Sequence, residues 1–294
     1  MTRDLLRCVR RSDLGTLVVE GADRVGWLNG VVTCDVREVA PGRGAWGLAL
    51  TKQGKILTDV VVVASRSSLL LGVAVGSAAT LAAHLEGLIV MEDATVRDAS
   101  GEFAWWSLHG AGAPAVAAAA GPTAGAGSVP WTSLGDAVVV ASTEDAATVE
   151  AALLEAGAAL AVDDEWDQLR VAEQLPRFGR DYTAAENAHD ASLEHRAVSW
   201  TKGCYLGQEV VCMQDMRGRA RRRVVGLAAA AESASAVVPG APLFGAGGAE
   251  VGAITSVTRP SAGVVLAIGH VQAALAEPGT VLTAGGAEVR VRPR

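Results

Sequence analysis

The chain has 294 residues, half of them hydrophobic, with 25 Lys and Arg against 32 Asp and Glu for a formal net charge of -7. That length holds two or three domains and core burial is not limiting, while the acidic balance argues against a surface built as a whole for nucleic acid or anionic membrane. Residues 1–10 lack a signal-like apolar core and no later apolar run reaches membrane-spanning length without Gly or polar interruption, so a cytoplasmic protein with no membrane association is expected.

Residues 16–20 read as a short strand, and Asp23 stands where its carboxylate caps the helix that follows. Val25, Leu28 and Val32 fall on one face of that helix. Residues 44–50 and 56–64 read as strands about a turn at 51–55. In the second, Val60-Val61-Val62-Val63 is too continuous for a half-wet edge and predicts burial on both faces. Asp59 interrupts that run, and a buried carboxylate is expected to be paired or functional. From 69 to 156 the order is strand (69–75), helix (77–88), strand (94–98), strand (103–109), Ala-rich helix (113–120), strand (137–141) and helix (144–156). This order suggests a ferredoxin-like split β-α-β unit, with the Gly- and Ala-rich residues 121–128 as a flexible surface loop. Trp105, Trp106 and His109 are expected to be structural, with one tryptophan in the core and one at its rim. Asp163-Asp164 would cap a helix through Trp166, Leu169 and Val171 that stops before Pro176. Arg217, Arg219, Arg221, Arg222 and Arg223 form a basic patch suited to carboxylates or phosphates. From Val224 onward, short strands punctuated by Gly and Pro predict a small β-barrel or sandwich.

The densest chemistry lies at Lys202-Gly203-Cys204-Tyr205-Leu206-Gly207-Gln208-Glu209. Two glycines around a cysteine permit positive φ or a close backbone approach, which predicts a tight turn presenting the thiol. Lys202, two residues before Cys204, would favour thiolate by charge proximity. Local chemistry leaves a second reading open, with Cys204 a buried packing residue and Lys202 a surface charge. The four cysteines, Cys8, Cys34, Cys204 and Cys212, include no CxxC pair, so neither a disulfide framework nor a metal site is expected.

The run 202–209 resembles the K-G-C-Y-x-G-Q-E signature of the YgfZ-type folate-binding proteins, relatives of the aminomethyltransferase (T protein) of glycine cleavage. Gly21-Ala22-Asp23-Arg24 through Thr33-Cys34-Asp35-Val36 is similar to that family's G-x-D-x-x-x-F-L-x-G-x-x-T-x-D-V opening, with Trp27 at the aromatic position. Lys52-x-Gly54-Lys55-Ile56-x-x-Asp59 resembles its K-G-(K/R)-I-x-x-D, and residues 170–181 its R-I-E-A-G-x-P-x-x-G-x-D. The resemblance implies an α+β, GcvT-like multi-domain arrangement. Its parts would be a folate-binding domain (1–50 and 160–222), a ferredoxin-like α+β domain (51–159) and a C-terminal β-barrel domain (223–294).

By the same resemblance the cofactor is tetrahydrofolate or a one-carbon derivative. Cys204 and Lys202 would be the catalytic groups. Thr33, Asp35, Asp59, Trp166, Arg170, Glu173, Tyr205, Gln208, Glu209 and Arg223 would surround the ligand. Three departures bear on that site: the family's acidic position falls on Ala172 with Glu173 one residue later, its glycine is Gln174, and one tryptophan of its aromatic clamp is Leu14. A one-residue shift turns a helical side chain by about 100°. The implied function is support of iron-sulfur cluster assembly or repair, with client enzymes or assembly factors as partners and Cys204 as an essential thiol. One alternative is a folate-dependent aminomethyltransferase, against which stands the lack of any carboxylate in residues 72–80, where those enzymes hold an aspartate. The other is a non-catalytic RNA or protein adaptor on the same fold.

Overall fold

The computed structural model describes residues 6–161, 163–218, 220–261 and 263–293. Arg219 of the basic patch lies outside the described residues, as do residues 1–5 and the side chains of Asp163 and Asp164 to which a helix cap was assigned. The chain divides into two compact units, one taking the chain up to Val162 with His195–Gln208, the other Asp163–Glu194 with Glu209–Arg294.

In the first unit the elements are β1 (Arg7–Arg10), β2 (Leu14–Glu20), α1 (Arg24–Asn29), β3 (Gly42–Arg43), β4 (Ala45–Leu50), β5 (Ile56–Ala64), β6 (Leu69–Ala74), α2 (Ala78–Glu86), β7 (Thr95–Asp98), β8 (Phe103–His109), α3 (Ala113–Ala118), β9 (Gly125–Val129), β10 (Asp136–Ser142), α4 (Ala146–Glu155) and β11 (Ala159–Leu160). They build a five-stranded sheet of order β4-β5-β6-β2-β7 and a six-stranded sheet of order β11-β1-β8-β10-β9-β3. Val60 to Val63 of β5 are all buried, as the unbroken apolar run predicts. Trp105 of β8 ties the sheets together. Its Nε1 donates to Thr16 Oγ1 of β2 at 2.8 Å, and its ring fills the space that a Cβ on Gly72 of β6 would enter. Both tryptophans are core residues, Trp106 being fully buried with Nε1 on Glu150 at 3.0 Å. The rim position expected for one of them does not exist.

Asp23 stands at the N-cap of α1, but its carboxylate makes no capping hydrogen bond. Its carboxylate instead accepts the Asp93 amide at 2.8 Å, joining the start of α1 to the approach to β7.

The split unit is present but begins later than the element order suggests. Strand β7 pairs with β2 in the five-stranded sheet, so the run β6-α2-β7 belongs there. The split unit is β8-α3-β9-β10-α4-β11, with β1 inserted between β11 and β8. Its second strand is the stretch expected to be a flexible loop. Gly and Ala serve close packing at that place: a Cβ on Gly125 would sit 2.9 Å from the Ala64 carbonyl oxygen, and one on Gly127 2.5 Å from the Gly44 nitrogen. The expected domain boundary after residue 50 falls between β4 and β5, which pair from Ala45↔Val62 to Leu50↔Ile56.

The second unit contains α5 (Asp163–Ala172), the body of α6 (Gln208–Arg217), β12 (Arg222–Ala230), β13 (Pro242–Phe244), β14 (Glu250–Ser261), β15 (Val264–Gln272), β16 (Val281–Ala284) and β17 (Ala287–Val291). The six strands close into a barrel of order β12-β15-β14-β13-β16-β17 around Leu227, Leu243, Ile254, Val271, Leu282 and Val289. Closure leaves no sheet edge to protect.

Helix α5 ends in a Schellman turn, with the Leu175 amide on the Arg170 carbonyl at 2.7 Å and the Gln174 amide on the Val171 carbonyl at 3.3 Å. Gln174 therefore takes φ +53, the conformation that glycine adopts most easily. The departure at this position keeps the backbone and changes only the side chain. That side chain donates to the Pro293 carbonyl at 2.6 Å and occupies the space beside Gly226, where a Cβ would come within 2.2 Å of it. Glycine at 226 is what admits glutamine at 174. No described helix is long and apolar enough to cross a membrane.

Candidate functional site

The signature loop is pinned along its length. The Ser199 amide donates to the Thr33 carbonyl at 2.9 Å and the Leu206 amide to the Gly30 carbonyl at 2.9 Å. Thr33, fully buried, donates its hydroxyl to the Ala197 carbonyl at 2.5 Å and accepts the Leu48 amide at 2.7 Å. Its side chain is a clip between segments, and both its hydrogen-bonding roles are taken.

Lys202 does the same work at the centre of the loop. Its ammonium donates to the carbonyls of Asn29 at 2.5 Å, Val32 at 2.7 Å and Cys34 at 2.7 Å, and lies 5.3 Å from the centre of the Tyr205 ring. An ammonium has three N–H donors, so none is left for a thiolate. The reading of Lys202 as the charge that ionises Cys204 gives way to a structural one: it satisfies the carbonyl of Asn29 at the end of α1 and those of Val32 and Cys34 in the segment that follows. Burial pushes its pKa down to about 8, against the opposing pull of Cys34 and Asp35.

Cys204 is exposed beside Gly203, at which an added Cβ would meet open space. Gly207 is the glycine that the turn requires, with φ +82 and a Cβ position 2.6 Å from the Thr51 carbonyl oxygen. The Gln208 side-chain oxygen accepts the Tyr205 amide at 3.2 Å, which closes the turn into α6; Glu209 is exposed in the first turn of that helix. Tyr205 is buried. Burial pushes the Cys8 and Cys34 thiols up to about 12, which removes both as thiolates at neutral pH. Cys212 is half-buried, and Cys204 is the most exposed of the four thiols.

Asp35 caps the short 3-10 turn Val36–Glu38 through the Arg37 amide and pairs with the Arg37 guanidinium at 2.7 Å, which holds its carboxyl below the usual range. It opens on a groove of about 500 Å³ that is also lined by Glu38, Arg43, Trp46, Thr132 and Arg196. Asp59 accepts Trp46 Nε1 at 3.1 Å, and burial pushes its pKa up. The Trp46 ring lies 5.9 Å beneath the Arg196 guanidinium, which donates to the Trp131 carbonyl. Nothing local in the sequence marks Arg196 or Trp131; they meet Trp46 only through the fold.

In the second unit, Arg170 is 1 % exposed and its guanidinium binds Asp167 at 2.6 Å, Asp181 at 2.6 Å and Ser256 at 2.8 Å. Arg223 donates to the His189 carbonyl at 3.1 Å and pairs with buried Glu194. Both arginines brace the protein. Trp166 is 7 % exposed on α5, and Glu173 follows the last turn of that helix with its amide on the Leu169 carbonyl. Arg217, Arg221 and Arg222 are exposed.

Residues 7–143 match the family described as GCVT N-terminal domain. The fold is that of the glycine cleavage system aminomethyltransferase T from Bartonella henselae, with a TM-score of 0.80 and 22 % identity over 99 % of this chain and 86 % of that one. Overlaps with the heterotetrameric sarcosine oxidase of Corynebacterium sp. U-96 (TM-score 0.30, 15 % identity, 54 % of this chain and 92 % of that) and with the regulatory subunit of aspartate kinase from Thermus flavus (TM-score 0.27, 17 % identity, 51 % and 95 %) are too slight to bear on the fold.

Proposed function

We propose that this GcvT-like chain binds tetrahydrofolate or a one-carbon derivative and supports assembly or repair of iron-sulfur clusters in client enzymes, with Cys204 as the working thiol. The exposed Cys204, held out by a loop anchored on both sides while Cys8 and Cys34 are buried, is the observation that carries the reading. The fold and the match over residues 7–143 support a folate ligand.

The residues fit that ligand in part. Asp59 offers a half-buried carboxyl of raised pKa, a group able to exchange hydrogen bonds with a pterin edge, and Tyr205 and Trp166 are the aromatic rings that the resemblance assigns to the ligand. Thr33, Arg170 and Arg223 have given their polar groups to protein partners. The folate's glutamate tail has exposed Arg221 and Arg222 as candidate partners.

In cells lacking the protein, Cys204→Ser is expected to restore iron-sulfur enzyme activity less well than wild type at equal protein level. Equal restoration would remove the thiol from the account.

The likeness to an aminomethyltransferase favours a second reading, transfer of a one-carbon unit from a lipoyl-bound amine. The end of β6 and the start of α2, residues 72–80, carry no carboxylate to hold the reacting nitrogen. Release of ammonia from an aminomethyl-lipoyl donor in the presence of tetrahydrofolate would decide for that reading.

A further inference from the structure

The first unit carries another groove, of about 570 Å³, bounded by the Ser65–Ser68 turn between β5 and β6, the first turn of α1, the turn at Ala40-Pro41-Gly42 and strand β9. A volume in this range suits a small molecule. The charge of the groove is one-sided. Arg24 and Arg66 line it and, among its described lining residues, no aspartate or glutamate does, in a chain whose net charge is -7. An acid-free pair of guanidiniums on an acidic protein focuses positive potential locally.

Arg24 sends Nη1 to the Gly21 carbonyl at 2.8 Å, while its Nε is buried without a protein partner. Buried donors are nearly always satisfied, and Arg24, which carries this unmet donor, is one of the residues that line the groove. Arg66 stands exposed on the Ser65–Ser68 turn and makes no ion pair among the described residues. Ser65, Ser68 and Thr123 add hydroxyls that can donate to an oxyanion, and Val25, Val39 and Leu69 supply an apolar wall.

We propose that this groove binds a small molecule bearing a phosphate monoester, its oxyanion held between Arg24 and Arg66. A monoester above its second pKa carries close to two negative charges, which two guanidiniums balance. A carboxylate would leave one guanidinium uncompensated. Planar guanidinium also meets phosphate oxygens in bidentate fashion. The occupant of this groove is independent of the folate reading.

The test is a titration of the full chain with glycerol phosphate, followed by the backbone amide signals and repeated with acetate. Saturable shifts are expected at Ser65–Leu69 and Thr123–Gly127, with binding tighter than that of acetate. Affinity should fall as the pH drops through about 6, where the monoester gains a proton. Arg66→Ala, at an exposed side chain the fold does not use, should weaken binding by about tenfold, as should Arg24→Met. Shifts scattered over the surface, equal binding of acetate, or unchanged affinity in Arg66→Ala would overturn the assignment.

Discussion

Asp181→Ala is expected to destabilise the unit that carries it by about 3–5 kcal/mol, the range for stripping one partner from a buried ion pair. Asp181 is fully buried and accepts four hydrogen bonds: from Arg170 at 2.6 Å, the Arg177 amide at 2.9 Å, Ser256 at 2.6 Å and Thr255 at 2.5 Å. Removing the carboxylate leaves the Arg170 guanidinium with only Asp167 and Ser256, and takes the acceptor from the Arg177 amide and the Ser256 hydroxyl, while Thr255 keeps the Ile268 carbonyl. The same network joins α5 to barrel strand β14, which supplies Thr255 and Ser256, so helix and barrel should loosen together. Arg180→Ala is the control. It breaks only the partly exposed pair to Asp167 and should cost about 0–1 kcal/mol. Urea unfolding of both variants makes the comparison. An Asp181→Ala cost no larger than that of Arg180→Ala would deny the network its structural role and return Arg170 to the ligand-binding role that the resemblance implies.

Lys202→Met should cost the first unit about 2–4 kcal/mol. The methionine keeps most of the stem's packing and removes three charge-assisted hydrogen bonds, leaving the carbonyls of Asn29, Val32 and Cys34 without a donor inside the fold. Relief from burying an ammonium offsets part of that loss, which keeps the net below the sum of three separate bonds. Amide exchange should quicken first around residues 30–34 and 199–206, the two segments that the ammonium holds together. A stable Lys202→Met protein whose Cys204 had become less reactive would contradict this account and favour the charge-proximity reading.

These two side chains show where reading from sequence succeeds and where it stops. Strands β5 and β8 were legible to the residue because an unbroken valine run and an apolar block announce themselves locally. Strand β9 was not, because its glycines answer a constraint set by Ala64 and Gly44, far away in the chain. The split β-α-β unit was placed one crossover too early for a related reason: β6-α2-β7 has the same local pattern, and only strand pairing assigns it to the other sheet. At the site, the tight turn followed from glycine spacing around Cys204, while the exposure of its thiol was one of two readings that local chemistry left open. The roles of Thr33 and Arg170 did not, since Thr33 bonds a carbonyl 164 residues on and Arg170 a hydroxyl 86 residues on. Gln174 was read as a departure in the ligand site, yet it preserves the helix ending that glycine would give.

Calorimetric titration of the whole chain with tetrahydrofolate, alongside Trp166→Ala, addresses the central claim most directly. Saturable binding by the wild type, weakened in Trp166→Ala, is the predicted result. The loss expected for removing one stacking ring is about 1–3 kcal/mol, or roughly tenfold to a hundredfold in Kd. No binding by a folded wild-type protein would contradict the folate assignment, and the adaptor reading would then take its place.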